Sequence, residues 1–145
     1  MTEQKDILLA SELRTVVTRL IKKLRKQSST ADKLSLTERS IIALLDKHVE
    51  LLPNELAAME KITTQSMSQI LSKLQQMELI KRRISETDKR KAIITLSDLG
   101  RTLLNQVRNE RNEWLNKALE ATCTTGEKEL LKRAIGPLTK LVDFD

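Results

Sequence analysis

The sequence predicts a mainly α-helical fold with one small β-hairpin. Three observations carry this. Apolar residues recur at three- and four-residue spacing through most of the 145 residues, Gly and Pro are scarce, and a single pair of β-prone runs flanks a polar tip. In the first helix, from Glu3 to about Lys26, Leu9, Leu13, Val16, Val17, Leu20 and Leu24 form one apolar stripe. It ends in "KKLRK", and cations at a helix C-terminus complement the dipole, so this cluster reads as end stabilisation rather than as a phosphate contact. "SSTADK" is a loop. In "SLTE", Ser35 can cap a second helix while Glu38 reaches back to it, and Ile41, Ile42, Leu44 and Leu45 supply its buried face. Pro53 suits the first turn of a short third helix whose core face is Leu56, Ala57 and Met59.

The next helix, "TTQSMSQILSKLQQM", has Thr63 as N-cap and Met67, Ile70, Leu71, Leu74 and Met77 on one side. Its other side carries Gln65, Ser68, Gln69, Ser72, Lys73 and Gln76. Such a face is polar but nearly uncharged. Gln and Ser both donate and accept hydrogen bonds, as reading base edges in a major groove requires, although an amide-rich solvated face would look the same. "LIKRRIS" and "AIITL" then flank "ETDKRK". The leading run carries Lys81, Arg82 and Arg83, and the tip carries Lys89, Arg90 and Lys91. Adjacent cations repel one another, so this loop makes sense where an anion meets it. Ser97 can cap a helix running to about Leu119, with Leu99, Leu103, Leu104, Val107, Trp114, Leu115 and Leu119 apolar. At ~1.5 Å per residue it would be ~35 Å long, more than one small domain needs internally. After "TTGEKE" comes a last helix with Leu130, Leu131, Ala134, Ile135, Leu138 and Leu141 apolar, which Gly136-Pro137 should kink or interrupt.

Charge and composition narrow the function. A net charge of +6 favours polyanions, and 39% hydrophobic residues are enough for a core. No stretch suits a membrane span and "MTEQKD" lacks the plan of a signal peptide, so the expected location is the cytoplasm. Cys123 and His48 stand alone, the three glycines are far apart, and Glu110/Glu113 lie among Arg108 and Arg111 as a solvated ion-pair face. No metal site, cofactor or nucleophile–base pair can be nominated, and no enzyme is expected. Trp114 and Phe144 are the only aromatics, so no ligand pocket is read from the sequence.

Three short helices followed by a basic hairpin form the plan of a winged helix-turn-helix, with the amide-rich helix in the major groove and the wing at the phosphates or minor groove. In "LSLTERSIIALL", "PNELAAMEKITTQSMSQILSKL" and above all "DKRKAIITLSDLG", the chain resembles the MarR family of bacterial transcriptional regulators. The resemblance covers essentially the whole chain. It implies a DNA-binding lobe at 35–96 and a homodimerisation region at 1–34 and 97–145. It further implies a wing arginine at Arg90 oriented by Asp88, and a recognition surface of Thr63, Thr64, Gln65, Ser66, Ser68, Gln69, Ser72 and Lys73. With Arg82, Arg83, Lys89 and Lys91, these are the expected DNA contacts; Leu9, Leu13, Val16, Leu103, Val107, Trp114, Leu131, Leu138 and Leu141 are the expected dimer contacts. The implied partners are double-stranded DNA, a second copy and a small-molecule effector. The family's peroxide sensors use a cysteine in the first helix, which this chain lacks, and Cys123 reads as unreactive. Two positions depart from the family: Glu78 stands where Gly often closes the recognition helix, and Gln69 where Arg is frequent. A rival reading has the basic wing docking an acidic protein partner.

Overall fold

The computed structural model describes residues 2–145. In chain order the elements are α1 (Thr2–Arg25), α2 (Leu36–His48), β1 (Glu50–Leu51), α3 (Pro53–Glu60), α4 (Thr64–Gln76), β2 (Ile80–Ile84), β3 (Ala92–Leu96), α5 (Asp98–Thr122) and α6 (Thr125–Val142). A short 3-10 turn at Ala31–Lys33 lies within the expected "SSTADK" loop. The chain forms two compact units: Ser28–Asn109, and the residues up to Gln27 together with Glu110–Asp145.

The Ser28–Asn109 lobe has one core. Leu34, Ile41, Ile42, Leu45, Leu51, Leu56, Ala57, Met67, Leu71, Leu74, Leu79, Ile80 and Ile94 are all buried and in mutual contact, with Leu103 and Leu104 packed against them. Helices α2, α3 and α4 close around it as the apolar spacing predicts, and Ser40 Oγ donates to the Glu60 carboxylate to join α2 to α3. Met59 is a correction: expected on the core face of α3, it is 44% exposed. An eight-residue helix presents few positions to the core, and Leu56 and Ala57 occupy them.

All three expected caps form. The Glu38 N–H donates to Ser35 Oγ (3.1 Å), the Ser35 N–H to Glu38 Oε1 (2.9 Å), the Ser66 N–H to Thr63 Oγ1 (3.1 Å) and the Gly100 N–H to Ser97 Oγ (2.9 Å). The hairpin is the antiparallel pair β2–β3, in register from Ile80 opposite Leu96 to Ile84 opposite Ala92. The unanticipated β1 adds two residues to the far side of β3, giving the order β1-β3-β2.

Among the described residues, three other than glycine adopt positive φ, each just beyond a helix: Val49 (67°), Lys61 (56°) and Glu78 (64°). Glu78 thus takes the left-handed backbone that its place at the end of α4 demands. A Cβ in that region costs ~1–2 kcal/mol, more than the ~0.5–1 kcal/mol of extra chain entropy that Gly would bring. Val49 is worse placed, because a β-branched side chain is a true outlier there and its own is 69% exposed, with little burial to offset the strain. Glu78→Gly and Val49→Gly should each raise the thermal midpoint by a few degrees, read by circular dichroism. A lower midpoint in both would show that the turns are not strained.

In the second unit, neither α1 nor α6 has a buried residue. Leu9 is 62% and Leu141 60% exposed, and Val16, Leu20, Ile21, Leu131 and Ile135 are also open. Of the kink or interruption expected at Gly136-Pro137, the interruption does not occur: α6 runs through Pro137 to Val142. Proline lacks only one N–H, so only the Arg133 carbonyl loses its partner four residues on, and on an exposed helix water can replace it.

Candidate nucleic-acid interface

The exposed side of α4 is what its sequence predicts. Thr64, Gln65, Ser66, Ser68, Gln69, Ser72 and Lys73 are exposed, and the opposite side buries Met67, Leu71 and Leu74. At about 100° per residue, Gln65, Gln69, Ser72 and Gln76 fall within one narrow arc. Thr63 belongs to the cap, since its hydroxyl accepts from the Ser66 N–H and donates to Ser66 Oγ (2.9 Å). Lys73 reaches sideways to α2, where its Nζ lies 3.3 Å from Glu38 Oε1.

The wing loop between β2 and β3 is braced from within. The Ser85 N–H donates to the Lys91 carbonyl (2.9 Å), the Lys91 N–H to the Asp88 carbonyl (3.0 Å), and the Asp88 N–H to Ser85 Oγ (3.3 Å). Asp88 Oδ1 accepts from both the backbone N–H and Nε of Arg90 (3.1 and 3.2 Å), and Oδ2 lies 3.4 Å from the guanidinium. Those hydrogen bonds hold the Asp88 carboxyl below its usual range, the side-chain one most strongly, with Lys91 adding a favourable charge. The Arg90 side chain is nonetheless 91% exposed. It is oriented but uncovered.

The cations of the hairpin divide by partner. Arg83 is engaged by Glu50 of β1 at 2.6 Å, a partner that sequence inspection missed because β1 is too short to show a period. Lys81, Arg82, Lys89 and Lys91 are exposed. A shallow groove lined by Pro53, Asn54, Thr64, Arg90 and Lys91 brings the start of α4 beside the wing. The α5 end of the lobe is clamped too: Asp46 accepts from Arg101 (2.9 Å) and Arg108 (3.0 Å). Among the expected dimer residues, Leu103 packs on the lobe core and Val107 is buried within the protomer, whereas Leu9, Val16, Leu131 and Leu141 are exposed and Leu13, Trp114 and Leu138 half-buried.

Two carboxylates in the lobe predict an acid sensitivity. Burial raises the Glu38 carboxyl, but hydrogen bonds from Ser35 and Lys73 outweigh that and leave it below its usual value. The hydrogen bond from Arg108 lowers Asp46 most; burial opposes it, and the charge of Arg108 and then Arg101 bring the net shift below the usual value. A carboxyl depressed in the folded state binds fewer protons than its unfolded counterpart. Its stabilisation is therefore complete above the unfolded value, near pH 4, and is lost as pH falls through the folded one. Urea midpoints should be flat from pH 7 to about 5 and drop below it, and Asp46→Asn should shallow the drop. A midpoint indifferent to pH down to 3 would exclude these pairs as contributors.

A recognition face on α4, an oriented arginine on a β-wing, and a lobe that encloses its own core are the parts of a winged helix-turn-helix. The MarR family model matches residues 33–91, and an uncharacterized HTH-type transcriptional regulator of Mycobacterium bovis is 30% identical over 138 residues, 95% of each chain. The chain belongs to the MarR family. It is a DNA-binding, winged helix-turn-helix regulator of transcription. Among solved MarR-like structures, a transcriptional regulator protein of Pseudomonas aeruginosa superposes with TM-score 0.83 at 31% identity, covering 97% of this chain and 98% of that one. A mutant of S. aureus MepR bound to an oligodeoxyribonucleotide shares the fold (TM-score 0.69, 19% identity, 93% and 98% covered). Among the described residues of this MarR protein, no group of three or more His, Cys, Asp or Glu could hold a metal ion, and no helix is long and apolar enough to cross a membrane.

Proposed function

We propose that the protein is a homodimeric, effector-responsive repressor that binds a pseudo-palindromic operator. The observation that carries this is the pairing, in one lobe, of an uncharged hydrogen-bonding face on α4 with a wing arginine already oriented by Asp88. A dock for an acidic protein would need the cations alone. In the complex, Gln65, Ser68, Gln69 and Ser72 address base edges in the major groove, while Arg90 reaches the flanking minor groove. Lys81, Arg82, Lys89 and Lys91 meet phosphates.

The unpartnered apolar faces of α1 and α6 support a second copy as the partner, with Leu9, Leu13, Val16, Trp114, Leu131, Leu138 and Leu141 at the interface. Two-fold symmetry then sets half-sites ~10 bp apart, centre to centre. The effector acts by favouring a dimer geometry that misses this spacing.

Selection of bound duplexes from random DNA tests the reading, with affinity followed against salt. A recovered palindrome and a steep salt dependence are expected. In that assay Arg90→Ala should weaken all duplexes by about tenfold and reduce the salt slope by about 1, whereas Gln69→Ala should relax the preference at one base position. Salt-sensitive binding with no enriched motif would favour the acidic-partner reading, and indifference to both substitutions would remove DNA contact from these surfaces.

A further inference from the structure

We infer that Lys73, although exposed on the helix that enters the groove, is a positioning residue that holds α4 through Glu38 and makes no phosphate contact. The inference rests on α4 being the recognition helix. Lys73 Nζ lies 3.3 Å from Glu38 Oε1, and the two side chains differ sharply in exposure, 60% for the lysine and 4% for the glutamate. The stem of Lys73 thus crosses from the open side of α4 to a covered carboxylate at the start of α2. Glu38 Oε1 also receives the Ser35 N–H, and Oε2 is buried with no hydrogen-bond partner.

An ion pair with one exposed member is ordinarily weak. Here the covered member changes the outcome, because removing the cation would strand a charge away from water. A phosphate offered to Lys73 therefore competes with a carboxylate that has no other cation to turn to within this contact. Helical position agrees. Lys73 lies about 80° round α4 from Gln65, at the edge of the arc that carries the amides.

What the pair resists is rotation of α4 about its own axis. The buried side of α4, Met67, Leu71 and Leu74, sets its depth, and even a small roll would swing Gln65 and Gln69 past their base edges. A tether between the second half of α4 and the first turn of α2 opposes that roll.

The test measures affinity for the selected operator and for random DNA, each across a salt series, using the full-length wild-type, Lys73→Met, Lys73→Arg and Glu38→Gln proteins. Lys73→Met keeps the stem and removes the charge. It should lower operator affinity by about tenfold, the worth of one misplaced base contact, and leave both random-DNA affinity and the salt slope unchanged. Lys73→Arg should restore most of the loss, and Glu38→Gln, which frees Lys73, should reproduce it. A slope lowered by about 1 with equal weakening on both DNAs would make Lys73 a phosphate contact and overturn the inference. Lower thermal midpoints with operator preference intact would reduce the pair to a stabilising contact, which overturns it equally. A wild-type protein without operator preference would sink the operator reading first and this inference with it.

Discussion

Gly100→Ala should lower the thermal midpoint by about 10 °C and leave the lobe loosely packed where α4 hands over to β2. An alanine Cβ built at this position would stand 2.2 Å from the Leu79 carbonyl oxygen, 3.1 Å from its carbon and 3.2 Å from Leu96 Cδ2. Two of those three atoms are backbone. They cannot turn aside as a flexible side chain would, and the Leu79 carbonyl already accepts the Ser97 N–H at 3.1 Å. Around it, Ser97 Oγ donates to the Glu78 carbonyl (2.6 Å) and accepts the Gly100 N–H (2.9 Å). Alanine would gain ~1 kcal/mol of helix propensity over glycine, but overpacking a closed site costs ~1–3 kcal/mol or more, and a clash this deep belongs at the upper end. The clash wins. Circular dichroism gives the midpoint, and an unchanged value would mean that α5 can lift off Leu79 freely.

The second large effect concerns association. Leu9→Glu and Leu141→Glu should each leave the protomer folded, because neither side chain contributes to its core, and should turn a dimer into monomers by sedimentation or light scattering. Exposure in the protomer supports a dimer beyond the family resemblance: twelve large apolar side chains among the described residues of α1 and α6 are left exposed. Once two lobes are unlinked, each half-site must be bound on its own, and operator affinity should fall by about 10²–10⁴. Wild-type monomers at micromolar concentration, binding the full operator with undiminished affinity, would refute the interface.

Local chemistry made much of this legible beforehand. The Ser35–Glu38 capping box, the Thr63 cap and the buried stripe of α4 all follow from residues within a few positions of one another, whereas the positive φ at Glu78 was signalled only by the family resemblance, which often has Gly there. Interactions between distant residues were not legible. Asp46 finds Arg101 and Arg108 more than fifty positions away, Glu50 finds Arg83, and Glu38 finds Lys73. A charge pattern does not say which pairs the fold will bring together, so Arg83 and Lys73 read as free cations until the lobe is folded. Met59 erred for a related reason: helical spacing ranks positions on a face but cannot say how much of a two-turn helix the core will cover. At Pro137 no interruption follows, because only one carbonyl loses its donor and α6 has no buried residue, so water can replace that donor.

The positive-φ residues Val49, Lys61 and Glu78 bear on how such a regulator can diverge. Most changes to a recognition surface lower stability, and a lineage that alters Gln65 or Gln69 to follow a new operator must survive that loss. At Val49 and Glu78 a change to glycine is expected to act in the opposite direction, and neither lies within Thr64–Lys73 of α4. A lobe built this way can change the DNA sequence it recognises while repairing its stability elsewhere.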